Sequence, residues 1–584
     1  MQPPYPKPFI RIQMNNNNIK IPEEVGNLPR MLRYSAGRFP QRPSLTSVDG
    51  TRYTYEELDR ATRHVAVMLR SAGIGKGDHV AILAENSPHW GIAYFGTLIC
   101  GATTVPILPD FRTPEIRSIL EHATVKVVMV SGKLIPRLQE GLPGSVEWVI
   151  NTDDFQYLEL TAGVPGAPAG IPGTLVKLQG TASIPEGEPG YYDADGDDLA
   201  SIIYTSGTTG RSKGVMLTHT NILSNAVQSG TVYRVTHEDR FLGILPLAHT
   251  YESTVGMMVA LLNGAMVQYV DRAPTAAYLG PILKQLRPTI MLTVPLIIEK
   301  IYRSTIRPKL SKSAGMRLLM KFSPTRRLLS RAAVRKLMDF FGGELCFFGV
   351  GGAPLAPDVE KFLLEGGFPY AIGYGLTETS PIVAGFGPSD PVFHSVGRAL
   401  EGVTVRIDHP DPLTGEGEIV VKGPNVMKGY YRDEEKTREV FTEDGYFRTG
   451  DLGIVNEKGI IYIKGRSKNM ILGPNGENIY PEEIEAVINS REHVLESMVL
   501  EYKGKLTARV HLKMEELEEQ FHHLKENAAE FQKQLQEKVD EVLKDLLVHV
   551  NQQVARNSKL QLIIQQLQPF EKTATQKIKR FLYQ

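Results

Sequence analysis

SIIYTSGTTGRSKGVMLTH, Ser201 to His219, is the stretch on which the fold and the chemistry turn. An apolar strand enters it, Thr205, Ser206, Thr208 and Thr209 alternate with Gly207 and Gly210, and Lys213 with Gly214 closes it. Glycines let backbone amides surround an anion, hydroxyls add donors and lysine adds positive charge. That combination suits the β and γ phosphates of ATP and a pyrophosphate leaving group. It is not the GxxxxGK(S/T) loop, because Lys213 is followed by Gly214 and its spacing from Gly207 differs. The plainer alternative is a surface loop of ordinary turn composition.

Working outward, strand and helix patterns alternate on both sides. Thr54 to Ala72 has helical spacing with Thr54 and Glu57 placed as a capping box, and it leads through a glycine turn into the apolar strand HVAIL. Ile92–Leu98 and Pro114–Ala123 read as helices before the strands Ala102–Ile107 and VKVVMV. After residue 200 the rhythm returns, with helices over Asn221–Val232, Val255–Leu262 and Pro281–Leu286 and strands over Phe241–Leu245, Ala265–Val270 and TIMLTVP. Two α/β layered halves with partly parallel strands follow. From about residue 400 to 465, TVRI, GEIVVKG and GIIYIKG give a β-rich subdomain. The remainder, 469–584, reads as a small α+β domain holding PEEIEAVI. A long helical expansion over about 511–568 carries the apolar stripe Leu517, Phe521, Leu524, Ala528, Phe531, Leu535, Val539, Val542. Residues 1–29, with their prolines and the run Asn15 to Asn18, read as a loose arm before a large domain of residues 30–465.

The 584 residues can fill several cores, and 65 basic against 65 acidic side chains leave no net charge to attract nucleic acid or an anionic bilayer. Two cysteines, Cys100 and Cys346, are too few for a disulfide scaffold and suit a reducing compartment; both lie in apolar stretches and read as core. The start lacks a secretory pattern and no run reaches the roughly twenty apolar residues of a membrane-spanning helix. A cytoplasmic location is expected, with transient contact at an inner membrane face as the open addition. Between Arg303 and Lys336 lies a basic stretch including Arg307, Lys312, Lys321 and Arg327, read either as a solvated helical face or as a surface for anionic CoA or membrane headgroups.

Further motifs add polar chemistry. AIGYGLTETSP, Ala371 to Pro381, presents Glu378, whose carboxylate beside phosphates is repulsive unless it holds Mg2+ or another cation; alone, TETS is equally a helix cap. FRTGDLG places Asp451 in a glycine turn, where it can accept from two ribose hydroxyls or serve merely as a turn residue.

The Ser201–His219 stretch resembles the signature of the adenylate-forming superfamily of acyl-CoA synthetases, peptide-synthetase adenylation domains and firefly-type luciferases. The pattern covers roughly residues 30–584 with its core motifs in order. The resemblance implies a large adenylation domain, a hinge at 466–468 centred on Lys468, and a mobile C-terminal domain. It assigns Gly351, Gly352 and Ala353 of FFGVGGAPL to the adenine pocket and Tyr374, beside Gly375, to adenine stacking. Thr377 is assigned to phosphate, Glu378 to metal, Asp451 to ribose and Arg466 to ribose or phosphate. Lys577 of FEKTATQKIKR would reach the acyl phosphate, and Gly476 of NGENIYPEEIE would accompany the pantetheine passage. ILPLAHTYES, with His249 and Glu252, resembles the substrate side of the long-chain branch. Phe241, Leu245, Met257 and Met258 are candidates for an acyl tunnel. The implied activity is conversion of a medium- to long-chain fatty acid to acyl-AMP by ATP and Mg2+, then acyl transfer to coenzyme A. The alternatives are a ligase loading an acyl carrier protein and an inactive nucleotide-binding scaffold.

Overall fold

The computed structural model describes residues 13–15, 18–20, 23–138, 141–160, 175–177, 191–205, 212–272, 274–472, 478–519, 521, 528–573 and 577–583. The chain forms two compact units, one of residues 1–355, 361–405 and 421–447, the other of 356–360, 406–420 and 448–584. This partition draws its line before the expected hinge at Lys468.

Among the described residues the first unit holds two nine-stranded mixed sheets. In one, the parallel strands Val127–Val130, His79–Leu83, Thr103–Pro106 and Leu199–Thr205 lie side by side, and Lys213–Thr218 and Gly429–Tyr430 extend the edge antiparallel. The other centres on parallel strands Tyr370–Gly375, Phe347–Val350, Ile290–Thr293, Arg240–Gly243 and Met266–Tyr269. Strands buried on both faces must be apolar at successive positions, which is why VVMV and the VAIL that follows His79 are uninterrupted.

Helix Tyr55–Ser71 starts where the capping box requires: Glu57 N–H donates to Thr54 Oγ1 at 3.2 Å and Thr54 N–H to Glu57 Oε2 at 2.8 Å. Its Leu58, Val65 and Leu69 join Trp90 and Phe95 of helix Pro88–Cys100 in the main core. Full burial of side chains of this size contributes about 1.5–3 kcal/mol each.

Several expectations are corrected. Helix Ala276–Leu286 begins before Pro281 and accommodates it internally. Val255–Leu262 is only partly α-helical, because Tyr251–Met258 is π-helix followed by Val259–Leu262. Cys100 is buried, but Cys346 is exposed, as the residue just before strand Phe347–Val350 begins. In the arm, Gln13–Asn15 pairs antiparallel with Asn18–Lys20, and helix Leu28–Arg38 begins inside it, capped by Asn27.

In the second unit, Val494–Tyr502, Lys505–Leu512 and Leu562–Gln565 make a three-stranded sheet, the last strand parallel to the middle one. The long helix is Ala528–Gln553, and Leu535 and Val539 pack with Leu517 and Ile488 in this unit's own core. The expansion is therefore not helical throughout: it returns as a strand, which a parallel pairing requires some crossover to reach. Leu524 lies outside the described residues. Among the described residues no helix is long and apolar enough to cross a membrane.

Candidate active site

Strands Leu199–Thr205 and Lys213–Thr218 form a hairpin in which Thr205 and Lys213 are directly opposed. Ser206, Gly207, Thr208, Thr209 and Gly210, between them, lie outside the described residues. The hairpin acquires a third strand from far along the chain: Val215 opposes Tyr430, Tyr431 N–H donates to Gly214 O at 2.7 Å, and Lys428 N–H to Met216 O at 3.0 Å. This register sets the Tyr430 ring beneath Lys213, whose Nζ is 5.0 Å from the ring centroid. Burial and the neighbouring Lys436 lower the Lys213 pKa, while Glu378 pulls the other way.

Thr377–Thr379 is a single 3-10 turn after strand Tyr370–Gly375. Tyr430 Oη donates to Glu378 Oε1 at 2.9 Å, and Met427 N–H donates to Glu378 O at 2.8 Å. Burial, then the Glu378 charge, raises the Tyr430 pKa well above the ordinary phenol value, so the group stays a donor. Asn425 Nδ2 donates to the Thr379 and Ile382 carbonyls at 2.9 Å each, and Asn225 Nδ2 to Ile382 O at 2.7 Å. The turn is thereby held by two buried amides from distant segments. Gly375 is required sterically: a methyl built there would fall inside contact of the Pro381 carbonyl oxygen.

Among the described residues there is no cluster of three or more metal-ligating side chains. One partly exposed carboxylate, Glu378, oriented by Tyr430, nevertheless fits Mg2+, which is commonly held by one or two carboxylates together with substrate phosphates.

Strand Phe347–Val350 ends at Gly351, Gly352 and Ala353, parallel to strand Tyr370–Gly375, which carries the buried Tyr374. A Cβ at Gly351 would lie 3.2 Å from the Tyr251 ring, so glycine lets that ring close on the strand end. Tyr251 opens the π-helix that follows His249, and His249 Nδ1 accepts from Tyr251 N–H at 3.5 Å. Asn86 holds this loop, donating to Leu245 O at 2.6 Å and accepting from Leu247 N–H at 2.8 Å. Next to it, Glu252 is 1% exposed, and burial pushes its carboxyl up to about 8. Glu252 Oε2, Thr250 Oγ1 and Tyr269 Oη are buried without a hydrogen-bond partner among the described residues. Phe241, Met257 and Met258 are in the main core and Leu245 is half-buried.

In the second unit Asp451 is on strand Phe447–Val455, not in a glycine turn: Gly450, at φ +70°, is a left-handed step within the strand. Asp451 opposes Arg466 on strand Ile461–Arg466, and Arg466 Nε donates to Asp451 Oδ1 at 2.8 Å. Arg466 Nη1 also donates to Thr449 O at 3.2 Å. Lys577 is exposed, and its carbonyl accepts from Thr573 N–H at 2.8 Å. The described residues on either side are anchored: Glu571 N–H donates to Tyr583 Oη at 2.7 Å, and Arg580 pairs with Glu485, its Nη2 2.6 Å from Oε1. Lys468 sits in a short 3-10 turn, and Gly476 lies outside the described residues.

Thus Thr205, Lys213 and Glu378 share a unit with Gly351, Gly352, Ala353, Tyr374, Gly375 and Thr377, while Asp451, Arg466 and Lys577 belong to the other. The sequence reading missed Tyr430, Asn425 and Tyr251. Only Tyr251 had a signal, its place beside His249 in LAHTYES.

A family model described as AMP-binding enzyme matches residues 32–431. The long-chain-fatty-acid–CoA ligase FadD15 of Mycobacterium bovis is 30% identical, over 78% of this chain and 76% of its own. The 3-[(3aS,4S,7aS)-7a-methyl-1,5-dioxo-octahydro-1H-inden-4-yl]propanoyl:CoA ligase of Rhodococcus jostii is also 30% identical, over 82% of this chain and 86% of its own. Among solved structures, ATP-bound MatB of Rhodopseudomonas palustris superposes with a TM-score of 0.70 at 25% identity, covering 95% of this chain and 98% of that one. With the motif order, the two mixed sheets and the match across the large unit in agreement, the chain belongs to the AMP-binding enzyme family.

Proposed function

We propose that this protein is an ATP-dependent acid:CoA ligase acting on medium- to long-chain fatty acids. The observation that carries the reading is the convergence of Lys213, Tyr430 and Glu378 on one hairpin edge, which sets a cation and an oriented carboxylate about one tyrosine. In the first step a carboxylate oxygen of the acid attacks the α phosphorus of ATP, the bond to the β-phosphate oxygen breaks, and pyrophosphate leaves from acyl-AMP. Reactants of like charge need positioning and neutralisation rather than a side-chain nucleophile, because the acid is already ionised. Thr205 and Lys213 would bind phosphates, and Glu378 would hold Mg2+, which supplies further neutralisation of the phosphate oxygens. Gly351, Gly352, Ala353, Tyr374 and Gly375 would bind adenine. Asp451 and Arg466 would bind the ribose, Lys577 would meet charge developing at the α phosphate, and His249 would stand on the acid side. In the second step the CoA thiolate attacks the acyl carbonyl and AMP leaves. Motion about residues 466–468 would exchange Lys577 for the thiol passage near Gly476. The relatives that act on different acids leave chain length to experiment.

The test is pyrophosphate release from Mg·ATP across short-, medium- and long-chain fatty acids, with and without CoA. Acid-dependent release with CoA-dependent thioester supports the reading, strongest for long chains. Release that stops at bound acyl-AMP, with transfer to an acyl carrier protein, would replace CoA by that partner. No acid-dependent release across the series would overturn the fatty-acid assignment.

A further inference from the structure

From Arg303 to Met338 the chain carries eleven Lys and Arg and no Asp or Glu, in a protein whose net charge is zero. The positive charge is therefore concentrated here and balanced elsewhere, a local field that overall composition conceals. This segment folds largely as helices, including Ala314–Lys321 and Ser323–Phe340.

The first of these is unusual for a water-facing helix. Ser313 caps it, accepting from Met316 N–H at 3.1 Å, yet none of its eight residues is buried. A helix that short is marginal in water without a face to pack. Its apolar side chains are instead presented outward: Leu318 is 56% and Leu319 44% exposed, followed by Phe322 at 58% and Leu328 at 69%. Arg317, Lys321 and Arg327, interleaved with them, are exposed too. Cations alone would suit any polyanion, but leucines and a phenylalanine standing clear among them favour a surface that is anionic outside and apolar a few ångströms deeper.

Beside this patch a cavity of about 420 Å³ is lined by Arg327, Arg331, Lys361, Leu364, Glu365 and Phe393. Arg326 engages the Glu365 carboxylate through two bonds of 2.7 Å, which neutralises the one acid in the lining. Arg327, Arg331 and Lys361 then give the cavity a net positive wall, with Leu364 and the 42% exposed Phe393 as its apolar part. A phosphate headgroup with the start of an acyl chain has that same division.

We infer that the face built by Ala314–Lys321 and the start of Ser323–Phe340 docks on an anionic lipid bilayer, with Leu318, Leu319, Phe322 and Leu328 entering the interface and the flanking cations meeting headgroup phosphates. The attachment is reversible and electrostatic in its approach, since among the described residues no helix is long and apolar enough to span a bilayer. It stands independently of which acid the protein activates.

The test is flotation of the full chain with phosphatidylcholine vesicles, with and without phosphatidylglycerol, at low and high salt. Binding is expected only with the anionic lipid and is expected to fall with salt. Because each Lys or Arg near such a surface is worth roughly fivefold in binding, the triple variant R317E/K321E/R327E should weaken it on the order of a hundredfold or more. L318E/F322E, at exposed positions, should abolish it while leaving the circular-dichroism melt unchanged. Absence of binding to anionic vesicles overturns the inference. Binding that L318E/F322E leaves intact, matched by equal retention on heparin, also overturns it and marks the face as a general polyanion site for nucleic acid or an acidic protein.

Discussion

Tyr430 Oη donates to Glu378 Oε1 at 2.9 Å while its ring lies 5.0 Å from Lys213 Nζ, so one tyrosine ties together the cation and the carboxylate of the candidate phosphate site. Without Tyr430, Glu378 would keep its backbone anchor, Met427 N–H to Glu378 O at 2.8 Å, but lose the bond that orients its carboxylate.

Tyr430→Phe tests that relationship. A hydrogen bond to a charged group is worth about 1.5–3 kcal/mol, so kcat/KM for acid-dependent pyrophosphate release should fall roughly tenfold to a hundredfold. The Mg2+ concentration for half-maximal rate should rise in the same titration. An unchanged Mg2+ dependence would separate Tyr430 from any role in presenting Glu378.

Glu252→Gln tests the buried carboxyl. Its folded pKa of about 8 is above the ordinary 4.5, so between these values the folded protein holds a proton that the unfolded chain releases. Stability from this group is full below about pH 4.5 and declines as pH rises to about 8, by about 1.4 kcal/mol per pH unit. Denaturant unfolding should show the wild type losing stability relative to the glutamine variant across that window, with a constant gap above it. A gap independent of pH would mean that Glu252 is ionised in the fold.

Gly375→Ala places a methyl against the Pro381 carbonyl oxygen, where the backbone must shift. Overpacking of this kind costs about 3 kcal/mol, which a fall in the denaturant midpoint with unchanged m-value would register.

Lys577→Ala should change stability by about 0.5 kcal/mol or less, because the side chain is exposed. Loss of its charge should slow adenylation on the order of a hundredfold to a thousandfold, while thioester formation from supplied acyl-AMP continues. Equal loss in both half-reactions would assign Lys577 to the fold or to both steps.

The features legible in the order of amino acids are local. A capping box at Thr54, uninterrupted apolar strands and the glycine-hydroxyl hairpin loop act within a few residues, and their physics is written where they occur. The tertiary structure decided what those pieces meet. Glu378 finds Tyr430 across 52 positions because a two-residue strand, Gly429–Tyr430, leaves a β-rich stretch to pair with Lys213–Thr218, and Asn225, on a helix, reaches Ile382 across 157. Two residues carry too little pattern to be seen as a strand. Cys346 in its apolar run and Leu562–Gln565 in its helical-looking segment misled because their surroundings are set by distant residues. Burial and strand pairing depend on neighbours far along the chain, whereas composition and periodicity report only on neighbours along it.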